Sequence, residues 1–454
     1  MIPTFSPLFV RTKRFVMRCK HISFYIAAIL FSPVVFYSCQ SANQKEKLAV
    51  KKDSTLIELP KPQPLPAAEV ERLRTACEHW YDSALLYRGF NGGMLVAKDG
   101  NIVFEQYTGT AHLPGTDVIN ANTSLQIASV SKTFTAMAVL KLWQDHKLNL
   151  DDEVSKYIKN FNYPGVTIRS LLDHRSGLPN YLYFMEELGW DKKVNATNQD
   201  VLDYLVNKKS ELTNISTPNT HFTYCNTNYA LLALLIEAVT GKKFPAYMKE
   251  TFFDPLQMKN TFVYQPTDSV KPTYSYDWKS RPIALNHLDG VYGDKNVYTT
   301  PRDLLTWDRA LSSNVIFTDS TLAQAYAPYS NEKPGVRNYG LGWRMNIYPD
   351  GKKMIYHNGW WHGNRAAFIR MIKENATIIV ISNKDNRAVY HAKVLCNLFN
   401  DYTNNEDEEE NENSKALETP PASNQAPAVP APVLSPKNAK LQTIFKDKNK
   451  VRGH

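Results

Sequence analysis

Strand-like runs of apolar residues occur near both ends of the chain, and a longer helix-patterned stretch separates them. The runs are residues 93–109, 341–359, 364–374 and 375–385. The first contains Asp99-Gly100 between two alternating segments, which is a strong hairpin signal. Distant parts of the chain must then complete one antiparallel sheet, flanked by helices, with a helical region inserted between its strands. The pattern predicts an α+β fold.

The first 39 residues have the pattern of an export signal. Five lysines and arginines precede the apolar run 22–39, and no acidic residue occurs before Cys39. The run is short and broken by a proline, which favours a signal peptide over a membrane span. Ser38-Cys39 resembles a relaxed lipobox, in which the cysteine is lipidated and becomes the mature N-terminus. We therefore expect a membrane-anchored lipoprotein of the cell envelope, facing the periplasm or the cell surface, with a plain signal peptide or a signal anchor as the alternative.

Composition divides the rest of the chain into three parts. Residues 40–66 are polar and then rich in proline, as in a flexible linker. Residues 67–402 have the apolar patterning of one folded domain. Residues 403–454 combine an acidic run with a Pro/Ala-rich segment, which predicts a disordered tail. The formal net charge of +9 falls to +4 without the five cations of the signal, and no basic stripe remains, so we expect no nucleic-acid partner.

The segment "IASVSKTFTAMAVL", residues 127–140, places a serine and a lysine at the start of an apolar helix. Ser129 and Lys132 are three residues apart and so lie on one helix face. A buried amine beside a serine can accept its proton, because burial lowers the pKa of lysine. A helix cap with a solvent-facing lysine is the alternative. The same spacing recurs at Ser330 and Lys333, in a proline-flanked loop where we interpret it as chance.

Two further segments carry groups that suit acyl chemistry. Tyr224 and Asn226 precede an apolar helix, and in an extended loop both would point to one side. A phenol can then transfer a proton while an amide holds a substrate carbonyl. His357 and Gly359 end a strand-like run, where the glycine allows close approach to the backbone. The alternatives without a function are an ordinary turn with a packed tyrosine for the first segment and a hairpin with a surface histidine for the second. His357 and His362 lack the helix and carboxylate of a zinc motif, so we predict no metal.

The three motifs together resemble the serine β-lactamase-like hydrolases, a group that includes class C β-lactamases, D-alanyl-D-alanine carboxypeptidases and related esterases. The segments "SVSK", "YCN" and "HNG" come in the order and with the separations of that family. The landmarks "VTIRSLLDHRSGLPNY" and "FFDPLQMKNTFVY" are also similar to family stretches. The resemblance covers roughly residues 90 to 399 and implies a β-lactamase/transpeptidase-like fold.

The resemblance also implies a mechanism. Ser129 would attack a carbonyl to form an acyl-enzyme, and Lys132 and Tyr224 would share the proton transfer, with either as the base. Asn226 would orient Lys132 and the acyl amide of the substrate. The backbone N–H groups of Ser129 and Trp360 would form the oxyanion hole, beside a wall built by His357, Asn358 and Gly359. No metal or organic cofactor is implied.

Two positions depart from the pattern of the lactamases. His357 stands where lactamases and peptidases usually have lysine, and Asn358 replaces the usual threonine or serine. A neutral imidazole attracts a carboxylate less than an ammonium does. The sequence thus predicts an exported serine hydrolase that acts on a small ester, amide or peptide-like substrate. Fragments of the cell wall are one such class of substrate. A D-alanyl-D-alanine carboxypeptidase or weak β-lactamase, a catalytically inactive binder of cell-wall fragments, and a surface protein acting through its tails are the alternatives.

Overall fold

The computed structural model describes residues 56–112, 115–269 and 271–403. The predicted signal peptide with Cys39, most of the linker and all but the first residue of the predicted tail lie outside these residues. Within the described part of the chain, no helix has the length and apolar character needed to cross a membrane.

Short and long strands alternate with helices along the described residues. The strands are β1 Gly92–Lys98, β2 Asn101–Thr108, β3 Leu125–Gln126, β4 Phe262–Val263, β5 Ser275–Tyr276, β6 Pro282–Ile283, β7 Val297–Thr299, β8 Arg337–Tyr339, β9 Arg344–Ile347, β10 Lys353–Trp361, β11 Asn364–Met371 and β12 Ala376–Ser382. The α-helices are α1 Ala67–Trp80, α2 Ser131–Gln144, α3 Ile168–Leu172, α4 Tyr181–Glu187, α5 Asn198–Asn207, α6 Asn226–Thr240, α7 Phe244–Met248, α8 Pro301–Ser312 and α9 Asp319–Ala325.

One seven-stranded sheet joins the two ends of the domain. Its strand order is β2-β1-β12-β11-β10-β9-β8, and every neighbouring pair is antiparallel. Asp99 and Gly100 both have positive φ, 51° and 74°, as a two-residue hairpin between β1 and β2 requires. β1 pairs with β12 from Gly92 opposite Ser382 to Lys98 opposite Ala376. The expectation of an α+β fold with a sheet completed by distant segments is confirmed.

Apolar side chains cover both faces of this sheet. On β11 and β12, Phe368 and Ile379 point to the core shared with the helical region, and Ile369 and Ile378 point to the core under α1. The alternation follows from the two-residue period of a strand. Truncating any one of these buried side chains to alanine typically costs about 2–5 kcal/mol. The central strands are therefore a rigid support for whatever lies at their edge.

The last part of the domain differs from its predicted form in one place. The run 341–359 was expected as one strand, but a turn at Asp350-Gly351 divides it into β9 and β10, with φ of 82° at Gly351. The difference is local, since the pairing of β9 with β10 keeps the chain in the sheet. The domain closes with a 3₁₀ helix, Arg387–Leu398.

Residues 56–66, at the end of the predicted linker, run along the domain without helix or strand. The N–H of Ile57 donates to the carbonyl of Pro255, and Arg309 donates to the carbonyl of Pro60. Asn101 donates to the carbonyl of Gln63. This part of the linker is held against the folded domain.

Candidate active site

Ser129 lies where the helical region meets the edge of the sheet. It occupies a 3₁₀ turn, Ala128–Val130, directly before α2, and this turn packs against β10. Ala128 has a φ of 46°, in the left-handed region that a residue with a β-carbon rarely adopts. Such a conformation typically costs about 1–3 kcal/mol and persists where the surrounding structure imposes it. The turn presents Ser129 at a sharp bend, with its side chain half-buried.

Lys132 follows one turn later and is fully buried. Its Nζ lies 3.0 Å from Ser129 Oγ, 2.7 Å from Asn226 Oδ1 and 2.9 Å from the carbonyl oxygen of Asp294. The last two oxygens can only accept, so they take two hydrogens of the amine. A neutral amine in this position would have its lone pair toward Ser129, whereas an ammonium would donate a hydrogen to Ser129 Oγ.

Tyr224 lies in the loop before α6, and Asn226 is the first residue of that helix. The Tyr224 ring centre is 5.0 Å from Lys132 Nζ, and Asn226 bonds to the same nitrogen. Cys225, between them, turns the other way, with Sγ 3.3 Å from the carbonyl of Leu178. Burial raises the pKa of the Cys225 thiol, so this group is a packed thiol. The extended loop thus brings the predicted phenol and amide to Lys132.

His174 also belongs to this site, although the sequence analysis assigned it no role. Its ring lies 4.4 Å from the Tyr224 ring, and its Nδ1 accepts the N–H of Cys225 at 3.1 Å. Burial, followed by the neighbouring basic groups Lys132, His357 and Arg344, holds the pKa of His174 well below 6.5. A neutral His174 therefore supports the Tyr224 loop. Its place in the landmark "DHRSG" was the available signal.

His357 is fully buried and uses both ring nitrogens. Nδ1 lies 2.6 Å from the carbonyl oxygen of Asn358, which can only accept, so Nδ1 carries the hydrogen. The Tyr339 hydroxyl then donates to Nε2, at 3.2 Å. Burial, followed by the neighbouring basic groups Arg344 and Lys132, holds the pKa of His357 well below 6.5. His357 is a neutral imidazole.

Gly359 brings β10 against the segment that leads into Ser129. A β-carbon at this position would lie 2.2 Å from the carbonyl oxygen of Ile127 and 3.3 Å from the β-carbon of Ala128. The Tyr390 hydroxyl donates to the carbonyl of Gly359 at 2.9 Å. Because C=O and N–H point in opposite directions across a trans peptide, the N–H of Trp360 points away from Tyr390.

Asn358 and Trp360 alternate with His357 and Gly359 along β10. Their side chains consequently lie on the opposite face of the sheet, the face of Tyr356. The Trp360 ring stacks on Arg365, whose guanidinium carbon is 4.3 Å from the ring centre. Asn358 and Trp360 were predicted to contact the substrate. Because their side chains lie on the face of the sheet away from Ser129, only their main-chain groups can make such contacts.

Arg344 is a second residue that the sequence analysis missed. It lies on β9 opposite Tyr356, and its guanidinium carbon is 5.1 Å from the Tyr224 ring centre. With His357 neutral, Arg344 supplies positive charge at this end of the site. A lone arginine in a strand carries no distinctive pattern in the sequence.

The residues weighed as metal ligands have other partners. His362 bonds to Asp289 at 3.0 Å, and His357 to Tyr339 and its own strand. Among residues 56–112, 115–269 and 271–403, no three His, Cys, Asp or Glu side chains are grouped to hold a metal ion.

The sheet, the helical region and the Ser-x-x-Lys turn between them are the β-lactamase/transpeptidase-like fold, the class of proteins that use a serine and a lysine for acyl chemistry. Comparison with known families agrees: the sequence model described as Beta-lactamase matches residues 87–395. The chain belongs to the Beta-lactamase family.

Individual relatives are similar over most of the domain. The chain is 32% identical to "Penicillin-binding protein 4*" of Bacillus subtilis (strain 168), over 67% of this chain and 71% of that protein. A penicillin binding protein from Bacillus halodurans superposes with a TM-score of 0.62 at 22% identity, covering 70% of this chain and 98% of that one. A D-amino acid amidase from Ochrobactrum anthropi SV3 superposes with a TM-score of 0.57 at 20% identity, covering 77% and 98%. The last two likenesses show the fold alone.

Proposed function

We propose that this protein is an exported serine hydrolase that forms an acyl-enzyme on Ser129. The observation that carries the proposal is the placement of Lys132, fully buried, with two fixed acceptors and its third direction toward Ser129 Oγ. A protein that merely binds cell-wall fragments has no use for this arrangement, which weighs against the inactive-binder alternative.

In the proposed reaction, a bond forms between Ser129 Oγ and the carbonyl carbon of the substrate. The serine proton passes to the pair formed by Lys132 and Tyr224, and that pair returns it to the leaving amine or alcohol. Water then attacks the acyl-enzyme and releases the acid. The N–H groups of Ser129 and Trp360 stabilise the oxyanion in both steps, and removing one such donor typically slows the reaction about 10²–10³-fold.

The proposed substrates are small esters, amides or peptide-like molecules, including fragments of the cell wall. Arg344 favours those that carry a carboxylate, because it adds positive charge beside the neutral His357. This observation supports D-alanyl-D-alanine carboxypeptidase activity, or weak β-lactamase activity, as the second candidate. Export and a lipid anchor at Cys39 would place the domain among such substrates.

The charge of Arg344 can be tested with a pair of activated esters that differ by one carboxylate. The Arg344→Gln variant is expected to raise KM for the carboxylate-bearing ester about tenfold or more and to leave the uncharged ester within a factor of two. Arg74→Gln, on the exposed face of α1, is the matched control and should change neither value. An equal loss with both esters would assign Arg344 a structural role.

Intact-protein mass spectrometry tests the proposed function directly. The full-length chain is incubated with a penicillin and, separately, with an activated ester, and its mass is followed over time. A covalent adduct on one serine is expected, and its lifetime separates a slow-releasing penicillin binder from an esterase or a lactamase. If neither reagent gives an adduct or turnover, the acyl-enzyme proposal is wrong and the binding alternative takes its place.

A further inference from the structure

Two consecutive buried residues of opposite charge lie directly beside Lys132. Asp294 and Lys295 precede β7, and their side chains are 2% and 3% exposed. The carbonyl oxygen of Asp294 is one of the acceptors of Lys132. The carboxylate of Asp294 lies 3.6 Å from Lys295 Nζ. The main chain of this pair thus holds Lys132 while its side chains form a separate ion pair.

The ion pair is embedded in the protein interior. The Tyr181 hydroxyl donates to Asp294 Oδ2 at 2.8 Å, and Lys295 bonds to the same hydroxyl. Lys295 Nζ also lies 4.7 Å from the ring of Trp361. Breaking a buried ion pair by removing one partner leaves an uncompensated charge with a strong local field. A single charge left in this ion pair would act on Lys132, because the charges of Lys132 and Lys295 interact.

We propose that Lys295 is a positioning residue of the active site: it neutralises the carboxylate of Asp294, so that Lys132 faces Ser129 as a neutral amine. The inference rests on the proposed function, because only a proton acceptor needs that charge state. Without Lys295, the nearby carboxylate would stabilise the ammonium form of Lys132, which cannot accept a proton from serine. The main-chain carbonyl of Asp294 would still orient Lys132, but the amine would be protonated and could not accept the serine proton.

The other groups around Lys132 do not neutralise the Asp294 carboxylate in place of Lys295. Among the described residues, the titratable groups around Lys132 include Tyr224, Tyr229, Cys225, His174, His357, Asp294 and Lys295, and Arg344 acts on the two histidines. Both histidines are neutral, since burial and neighbouring cations keep the pKa of each well below 6.5. Burial lowers the pKa of Lys295, while Asp294 and Asp289 act in the opposite direction. The Asp294 carboxylate and the Lys295 ammonium are therefore the opposing charges next to Lys132.

The test is a pair of single variants with opposite expected signs. In Lys295→Met, the unbalanced carboxylate should raise the midpoint of Lys132 titration by about one pH unit. In Asp294→Asn, the unbalanced ammonium should lower that midpoint by a similar amount, because like charges disfavour each other. The double variant should return toward the wild-type midpoint. Lys352→Met removes a buried lysine paired with Asp350 before β10, and should change nothing.

Two readouts separate this inference from the proposed function. The first is nuclear magnetic resonance of the full-length chain with ¹³Cε-labelled lysine, in which the signal absent from Lys132→Met reports the charge of Lys132 at each pH. The second is the acid limb of kcat/KM with an activated ester. Shifts of the Lys132 midpoint in opposite directions in the two single variants support the inference. If the low-pH side of the kcat/KM profile shifts in the same directions, the charge of Lys132 is linked to catalysis.

Unchanged midpoints, or shifts of the same sign in both single variants, would overturn the role of Lys295. Opposite shifts without ester turnover in the wild type would instead contradict the proposed function and leave the electrostatic inference standing. Thermal unfolding is recorded for every variant. If Lys295→Met does not fold, the downward shift in Asp294→Asn and its reversal in the double variant decide the question.

Discussion

The Ser129→Ala variant is expected to lose adduct formation and to turn over an activated ester about 10⁴- to 10⁶-fold more slowly than the wild type. The hydroxyl removed is the group that we propose as the nucleophile, and the alanine side chain has no atom that can attack a carbonyl. Cys225, the nearest thiol in sequence to Tyr224, is turned toward Leu178. The loss should appear in kcat, measured with saturating ester, while the unfolding temperature changes little because Ser129 is half-buried.

The chain supplies its own matched control for this prediction. Ser330 and Lys333 repeat the Ser-x-x-Lys spacing in a loop between α9 and β8, without a helix to align them. Ser330→Ala should therefore retain full adduct formation and turnover. If Ser330→Ala loses activity and Ser129→Ala keeps it, the site has been assigned to the wrong serine. If both variants keep it, the nucleophile is another residue.

Much of the fold was predictable because its signals are local. The Asp99-Gly100 hairpin depends on two residues that accept positive φ, and the apolar alternation of β11 and β12 depends on neighbours along one strand. The grouping of Ser129 with Lys132 follows likewise from helix geometry over three residues. Such features need no knowledge of the rest of the chain, so reading them from the sequence leads to the correct sheet.

The supporting residues of the site could not be found in this way. Lys295 meets Lys132 from 163 positions away, and Arg344 reaches the Tyr224 ring across 120 positions. Nothing in the local sequence around either cation marks it as part of a site, because a lone lysine or arginine most often faces solvent. His174 stood in a family landmark, but its role was not apparent because its partner Cys225 comes from another loop. These contacts form only when the sheet and the helical region pack together in the folded domain, so a local stretch of sequence does not reveal them.

The Gly359→Ala variant is expected to lower kcat/KM about 10²-fold while the domain remains folded. The new β-carbon would lie 2.2 Å from the carbonyl oxygen of Ile127, so the backbone of β10 or of the Ser129 turn must move. Either movement changes the distance between Ser129 and the N–H of Trp360, the two proposed donors of the oxyanion hole. Ester hydrolysis, measured well below the unfolding temperature of the variant, checks this expectation.

Gly351→Ala is the matched control for this effect. Gly351 has a φ of 82° in the turn before β10, and a β-carbon there would meet nothing within 4 Å. Its backbone conformation disfavours alanine by roughly 1–2 kcal/mol, so this variant should lose stability and keep its kcat/KM. Equal activity in Gly359→Ala and the wild type would contradict a close packing of β10 on the nucleophile turn. A loss confined to Gly359→Ala would show that the glycine is required because two backbones meet at the proposed oxyanion hole, not because the strand itself needs flexibility.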